Sequence, residues 1–225
     1  MNKLQELREE IQGVFAGRGI KILDVLLPLL IFLAANALIG FTAALWASIG
    51  IAVLIFLVRV FRKENLYYAL GGLGGVVLAA GIAVLSGSRA GYFLPGLISG
   101  GITILFCMGS AVLKRPLAAW SSFLTRRWPL EWYWHDKIRP AYTEVTLIWA
   151  LAFSARTGLE YWLFQHQAVN ALGATKIFLG WPYTILILIL SYLYGIWRLG
   201  KLKGPSVSEY LEGKTPPWES QKRGF

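Results

Sequence analysis

The sequence predicts an all-α polytopic membrane protein, with six transmembrane helices, an N-terminal amphipathic helix and an in-plane helix between spans four and five. Three observations predict it. Of 225 residues, 56% are hydrophobic and only 15% charged, where an ordinary soluble domain carries about 25% charged residues; the mean hydropathy of +0.55 agrees. Apolar runs of about 20 residues, the length a bilayer requires, recur along the chain. The basic residues gather in alternate connections between those runs, the pattern that orients membrane proteins.

The elements follow in order. The opening "LQELREEIQGVF" spaces Leu4, Leu7, Ile11, Val14 and Phe15 by threes and fours, which makes one apolar stripe on a charged helix. We expect a short amphipathic helix over residues 1–20, lying on the membrane or on the rest of the protein. Glu6, Glu9 and Glu10 interrupt this stretch, and it lacks an apolar core followed by a small-residue cleavage site. A secretory signal peptide is therefore not expected, and the first span should act as an uncleaved anchor.

The membrane domain is expected over 21–198, with spans near 22–39, 41–60, 66–86, 92–113, 141–164 and 177–197. A tight turn near Gly40 divides the first two. "RVFRKEN" joins the second to the third, and "SGSRAGYFLPG", with Gly91 and Pro95, joins the third to the fourth. After the fourth span, Leu117, Trp120, Phe123, Leu124 and Trp128 recur at helical spacing until Pro129 breaks the run. Tryptophans favour the headgroup level and arginines favour anionic lipid. Residues 116–134 therefore read as an in-plane helix with Trp120 and Trp128 at the interface; a connector packed on protein is the plainer alternative. A polar tail over 199–225 completes the chain.

Charge sets the orientation. With a cytoplasmic N-terminus, 19 of the 22 Lys and Arg residues fall inside, Arg89 and Lys176 fall outside, and Arg156 lies within a span. Both termini are then cytoplasmic. The net charge of +10 reads as contact with anionic headgroups at the cytoplasmic face rather than with nucleic acid.

Motifs that tempt a chemical reading have simpler ones beside them. "GGLGG" at 71–75 lacks the Lys-Ser/Thr of a phosphate loop. Gly71 and Gly75 instead form a small-residue face in span three, as Gly96 and Gly100 do in span four, and such faces let helices approach closely. His135 and His166 fall on opposite sides of the membrane in this topology, so they cannot share a metal. No metal or cofactor is expected. Cys107 is the one cysteine, which rules out an internal disulfide. Asp24 follows Lys21 by three residues, the spacing of a local interfacial ion pair. Asp136 and Glu144 flank Arg139, and the three are expected to neutralise one another or to orient the start of span five. The many Trp and Tyr residues read as interfacial belts.

One stretch stands out. "SARTGLEYWLF" at 154–164 places Arg156 and Glu160 one helical turn apart in an apolar span. Intramembrane charges are costly and face the bundle interior or a polar cavity by default. The alternative is that both reach outward to headgroups, with Trp162 as anchor.

Several short motifs together resemble an uncharacterised family of bacterial six-span membrane proteins, itself distantly similar to intracellular septation protein A. They are "DVLLP" with Asp24 and Pro28, "GYFLPG" at 91–96, "KRPL" at 114–117, "HDKIRPAY" at 135–142 and "TLIWALAFSAR" at 146–156. The resemblance runs from about residue 20 to 198. It implies a multi-pass protein of the bacterial plasma membrane, tied to envelope synthesis or division. The family pattern carries an arginine at the place of Arg156 and often an uncharged polar residue at that of Glu160.

No nucleophile–base set or metal cluster is legible, so an enzyme is not expected. The sequence favours a non-enzymatic membrane protein that binds other membrane proteins or itself, in envelope maintenance or as an accessory subunit of a membrane complex. A small transporter or channel is the alternative, and a lipid-modifying enzyme comes third.

Overall fold

A computed structural model describes residues 19–63, 66–222 and 224–225, with side chains described from residue 27 onward except at residue 68. Most of the amphipathic helix expected over 1–20 and the Lys21–Asp24 pair lie outside what is described. All regular elements among the described residues are helical: α1 Gly19–Leu38, α2 Phe41–Phe61, α3 Leu66–Leu85, a 3₁₀ turn Arg89–Phe93, α4 Leu94–Val112, α5 Leu117–Arg126, α6 Leu130–Trp134, α7 Arg139–Gln165, α8 Val169–Phe178, α9 Trp181–Leu202 and α10 Val207–Leu211.

The chain is a helical membrane protein. Three helical stretches are long and apolar enough to cross a bilayer: Phe41–Phe61, Arg89–Val112 and Val169–Leu202. Leu27–Leu38 and Ala69–Leu85 are apolar but shorter. With 27 residues, α7 extends about 40 Å, more than the roughly 30 Å of a hydrocarbon layer. Arg139, Glu144, Arg156 and Glu160 lower its hydropathy.

Turn chemistry sets the boundaries. Between α1 and α2, Gly40 adopts φ 97°, a backbone conformation that a side chain disfavours. Arg127 at φ 58° and Pro129 divide the expected in-plane helix into α5 and α6, because proline supplies no N–H to continue the ladder. The interval before the last long helix also differs from expectation. Residues 169–178 form α8, a turn at Leu179–Gly180 interrupts the run, and α9 begins at Trp181 rather than near residue 177.

The helices form two compact units. The first comprises Met1–Pro95 and Leu163–Ile177. At its core Phe32 stacks on Tyr92 with ring centroids 4.1 Å apart and meets Phe93 edge-on, while Ala44, Ala79, Ala80 and Ala83 supply a small-residue surface. The second comprises Gly96–Trp162 and Phe178–Phe225. Its core is aromatic: Trp132, Tyr133 and Tyr142 are fully buried together with Ile138, Val145 and Leu199.

Candidate functional site

Polar chemistry in the second unit is concentrated on α7 and on the helices that meet it. Arg156 Nε donates to Glu160 Oε1 at 2.9 Å. The two lie one turn apart, the spacing at which helical side chains meet. Glu160 is only 1% exposed, whereas Leu159, Tyr161 and Trp162 beside it are exposed. The carboxylate thus turns into protein and its apolar neighbours turn outward.

One residue after Arg156, Thr157 meets α4. A Cβ placed on Gly100 would lie 2.6 Å from Thr157 Oγ1, so a side chain there would displace that of Thr157 at this close approach of α4 and α7. Of the other glycines singled out in the sequence, Gly96 is half-buried, while Gly71 and Gly75 are exposed, and a Cβ on either would meet no described atom within 4 Å. The buried small face of α3 is made by Ala69, Ala79, Ala80 and Ala83. Gly75 stands one turn before Ala79, on the same side of α3, so the exposed glycines are separated from buried Ala79, Ala80 and Ala83 by position along the helix.

A series of polar contacts joins α7 to α9. Tyr183 Oη donates to the Ala152 carbonyl at 3.1 Å, and Trp149 Nε1 donates to Ser191 Oγ at 2.7 Å. Arg198 grips Glu144 through two bonds of 2.7 Å from Nε and Nη2, and Tyr194 Oη donates a third at 2.7 Å. Two parallel N–H···O bonds fix a guanidinium–carboxylate pair in orientation as well as distance. The expected grouping of Asp136, Arg139 and Glu144 is therefore only half formed. Arg139 pairs with Asp136 at 3.2 Å, and Glu144 is taken by an arginine 54 residues further on. Arg139–Asp136 is a solvated surface pair that contributes little.

The expected interfacial residues lie in the same unit. Trp120 is 38% exposed and meets Phe123 and Trp134 through ring edges. Trp128 is half-buried against Trp132 and Tyr133. Along α5 the fully packed face is Ala118, Ala119 and Ser122, and the Ala118 N–H donates to Thr146 Oγ1 at 3.1 Å. Small residues face protein here, while Trp120 and Leu124 stay exposed.

The sequence gives no warning that the tail joins this core. Phe225 stacks on Tyr142 at 4.2 Å and rests against Gly195, where no side chain would leave it room. Trp132 Nε1 donates to the Pro205 carbonyl at 2.9 Å. Ser206 caps α10 in a reciprocal box with Glu209, a signature legible as Ser-x-x-Glu. The Glu209 carboxylate accepts from the backbone N–H groups of Glu219 and Ser206, each at 2.8 Å, and from the Ser206 hydroxyl at 2.7 Å. These bonds hold its carboxyl below the ordinary carboxylate range.

Chemically, Glu144 and Glu160 are both engaged by arginines: the Glu144–Arg198 fork joins α7 to α9, while the Arg156–Glu160 pair lies within α7. Among the described residues no three His, Cys, Asp or Glu side chains gather as a metal site.

The chain belongs to the family described as Protein of unknown function (DUF3159), which matches residues 17–196. The added likeness to septation protein A is not shown by this match. No curated protein and no solved structure matches the chain.

Proposed function

We propose, on the premise that the chain is a member of this family, that it is a six-span protein of the bacterial plasma membrane with both ends cytoplasmic. It works without enzymatic chemistry, by holding a partner span, or a second copy of itself, against α3. The open glycine face of α3 carries this reading. Gly71, Gly72, Gly74 and Gly75 are exposed, and side chains there would meet nothing described within 4 Å. Lipid tails solvate leucine as well as another helix does, so a bare glycine face gains most from a second backbone at close range. The basic connections take anionic headgroups at the cytoplasmic side.

A second reading, a small transporter or channel, draws support from the buried Glu160 and from the polar contacts between α7 and α9, since polar groups inside a membrane mark pathways. The arginine partners of Glu144 and Glu160 favour the first reading.

Cross-linking in native membranes, followed by mass spectrometry, tests the first reading with Gly75→Leu. Because Gly75 has open space beside it, the variant should keep the thermal stability of the chain while recovery of the cross-linked partner or dimer falls several-fold. Unchanged recovery overturns the proposal.

A further inference from the structure

In the second unit the segment after α10 comes to rest in a seat of defined shape. Phe225 stacks on Tyr142 with ring centroids 4.2 Å apart and planes 9° from parallel. It also rests on the bare backbone of Gly195, where a Cβ would overlap its ring. Arg126 Nε donates to the Phe225 carbonyl at 3.2 Å. Gly224 is buried at φ 78°, and a Cβ there would press on Arg126 and on the Trp128 ring, each at 2.8 Å. The seat thus reads three features of a peptide: a flat ring, a carbonyl acceptor and a preceding residue without a side chain.

The contacts that hold the walls do not involve the two residues in the seat. Tyr142 is met edge-on by Trp132 and Tyr133 at 6.2 and 5.2 Å. Tyr133 Oη and Ser122 Oγ share a hydrogen bond of 3.2 Å, and Trp132 Nε1 donates to the Pro205 carbonyl at 2.9 Å. The Arg126 guanidinium lies 5.1 Å over the Trp128 ring, a placement that its charge favours. The segment that enters the seat is anchored elsewhere. The Glu219 N–H donates to Glu209 Oε1 at 2.8 Å, and the Val207 N–H donates to Gln221 Oε1 at 3.1 Å, which ties residues 219–221 to α10. Residues 211–217 are all exposed. Phe225 is only half-buried, whereas Tyr142 beneath it is fully buried. Lifting Gly224 and Phe225 therefore undoes a ring stack and a hydrogen bond at the long end of the range, and leaves the α10 anchors in place. Segments held by so few contacts open locally at low cost.

We propose that this seat is a peptide-binding site, held shut by the chain's own strap, for a segment of a partner protein in which glycine precedes an aromatic residue. The partner's ring takes the place between Tyr142 and Gly195, and Arg126 takes its carbonyl. The strap is an intramolecular competitor, present at the effective concentration that its short tether imposes. The seat lies in the second unit and uses none of the α3 glycines, so its test is independent of the association proposed for that face.

Fluorescence anisotropy at neutral pH tests this on the full chain in detergent, with a peptide of residues 219–225 dye-labelled at its N-terminus as the probe. Phe225→Ala vacates the seat and should bind the peptide. Wild type should bind it at least about tenfold more weakly, because its seat is open only a fraction of the time. Peptides carrying Phe225→Ala or Gly224→Ala should each lose about tenfold in affinity for the vacated seat, and Arg126→Ala in the Phe225→Ala chain should weaken binding several-fold. Absence of binding to Phe225→Ala, equal binding to it and to wild type, or binding indifferent to both peptide changes overturns the proposal. If Phe225→Ala lowers the melting temperature, Gly224→Ala in the full chain decides instead. It keeps every core side chain but strains the strap at φ 78°, so it should bind the unaltered peptide more tightly than wild type does, and failure to do so overturns the proposal equally.

Discussion

Glu160 and its arginine show what a single residue can carry in this protein. A buried carboxylate is tolerated only with donors at hand, and Arg156 supplies one at 2.9 Å. Arg156→Ala removes that bond and should destabilise the chain by about 1–3 kcal/mol, seen as a lower melting temperature in detergent. The double variant Arg156→Ala/Glu160→Gln should lose less than the sum of its two single changes, since neither charge is then left without the other. Strictly additive losses would show that the two side chains are not coupled. Gly100 makes the complementary point without charge: its missing Cβ leaves the room that the Thr157 side chain occupies.

At the scale of elements, α10 and the segment after it form a strap on the second unit, and its hold is sensitive to pH. The folded-state pKa of Glu209 is lowered, first by the Glu219 N–H and then by Ser206. A lowered carboxyl contributes stability that is fully present above its unfolded pKa of about 4.3. That contribution is lost as pH falls through the depressed folded value. A dye on Thr215→Cys in a Cys107→Ser background should therefore show constant anisotropy from about pH 8 to 5 and growing mobility below that range. Glu209→Gln should remove this acid transition and leave the strap looser at neutral pH. An acid transition of undiminished size in Glu209→Gln would assign it to another group. The α7–α9 contacts follow a different logic, because Glu144 and Arg198 are joined by a guanidinium fork whose geometry lysine cannot reproduce.

For the whole molecule, charge distribution makes the firmest prediction. The proposed topology puts 19 of the 22 basic residues on the cytoplasmic side, so single cysteines at positions 89 and 170 should react with an impermeant maleimide from outside. Those at 115 and 215 should react only after the membrane is opened. A Cys107-free background makes each label unambiguous. Labelling of position 89 from the cytoplasmic side alone would reverse or dismantle the topology.

Much of this protein is legible in one dimension. Apolar run length, the proline at 129, the glycine turn at 40 and the asymmetry of Lys and Arg each depend on near neighbours or on simple counts, and they suffice to identify a helical membrane protein and most of its helix boundaries. The Arg156–Glu160 pair was legible for the same reason, because i and i+4 share a face whatever surrounds the helix. Local spacing failed wherever the partner was distant. It paired Glu144 with Arg139, while the fold gives it Arg198, 54 residues away. It did not single out Ala79, Ala80 and Ala83, which the fold buries in α3. It left residues 199–225 as a polar tail, while Phe225 lies on Tyr142. Each of these outcomes depends on how a helix is rotated about its axis and on its register against another. Neither quantity is set by the residues of one helix alone; both are fixed by the packing of helices distant in the chain.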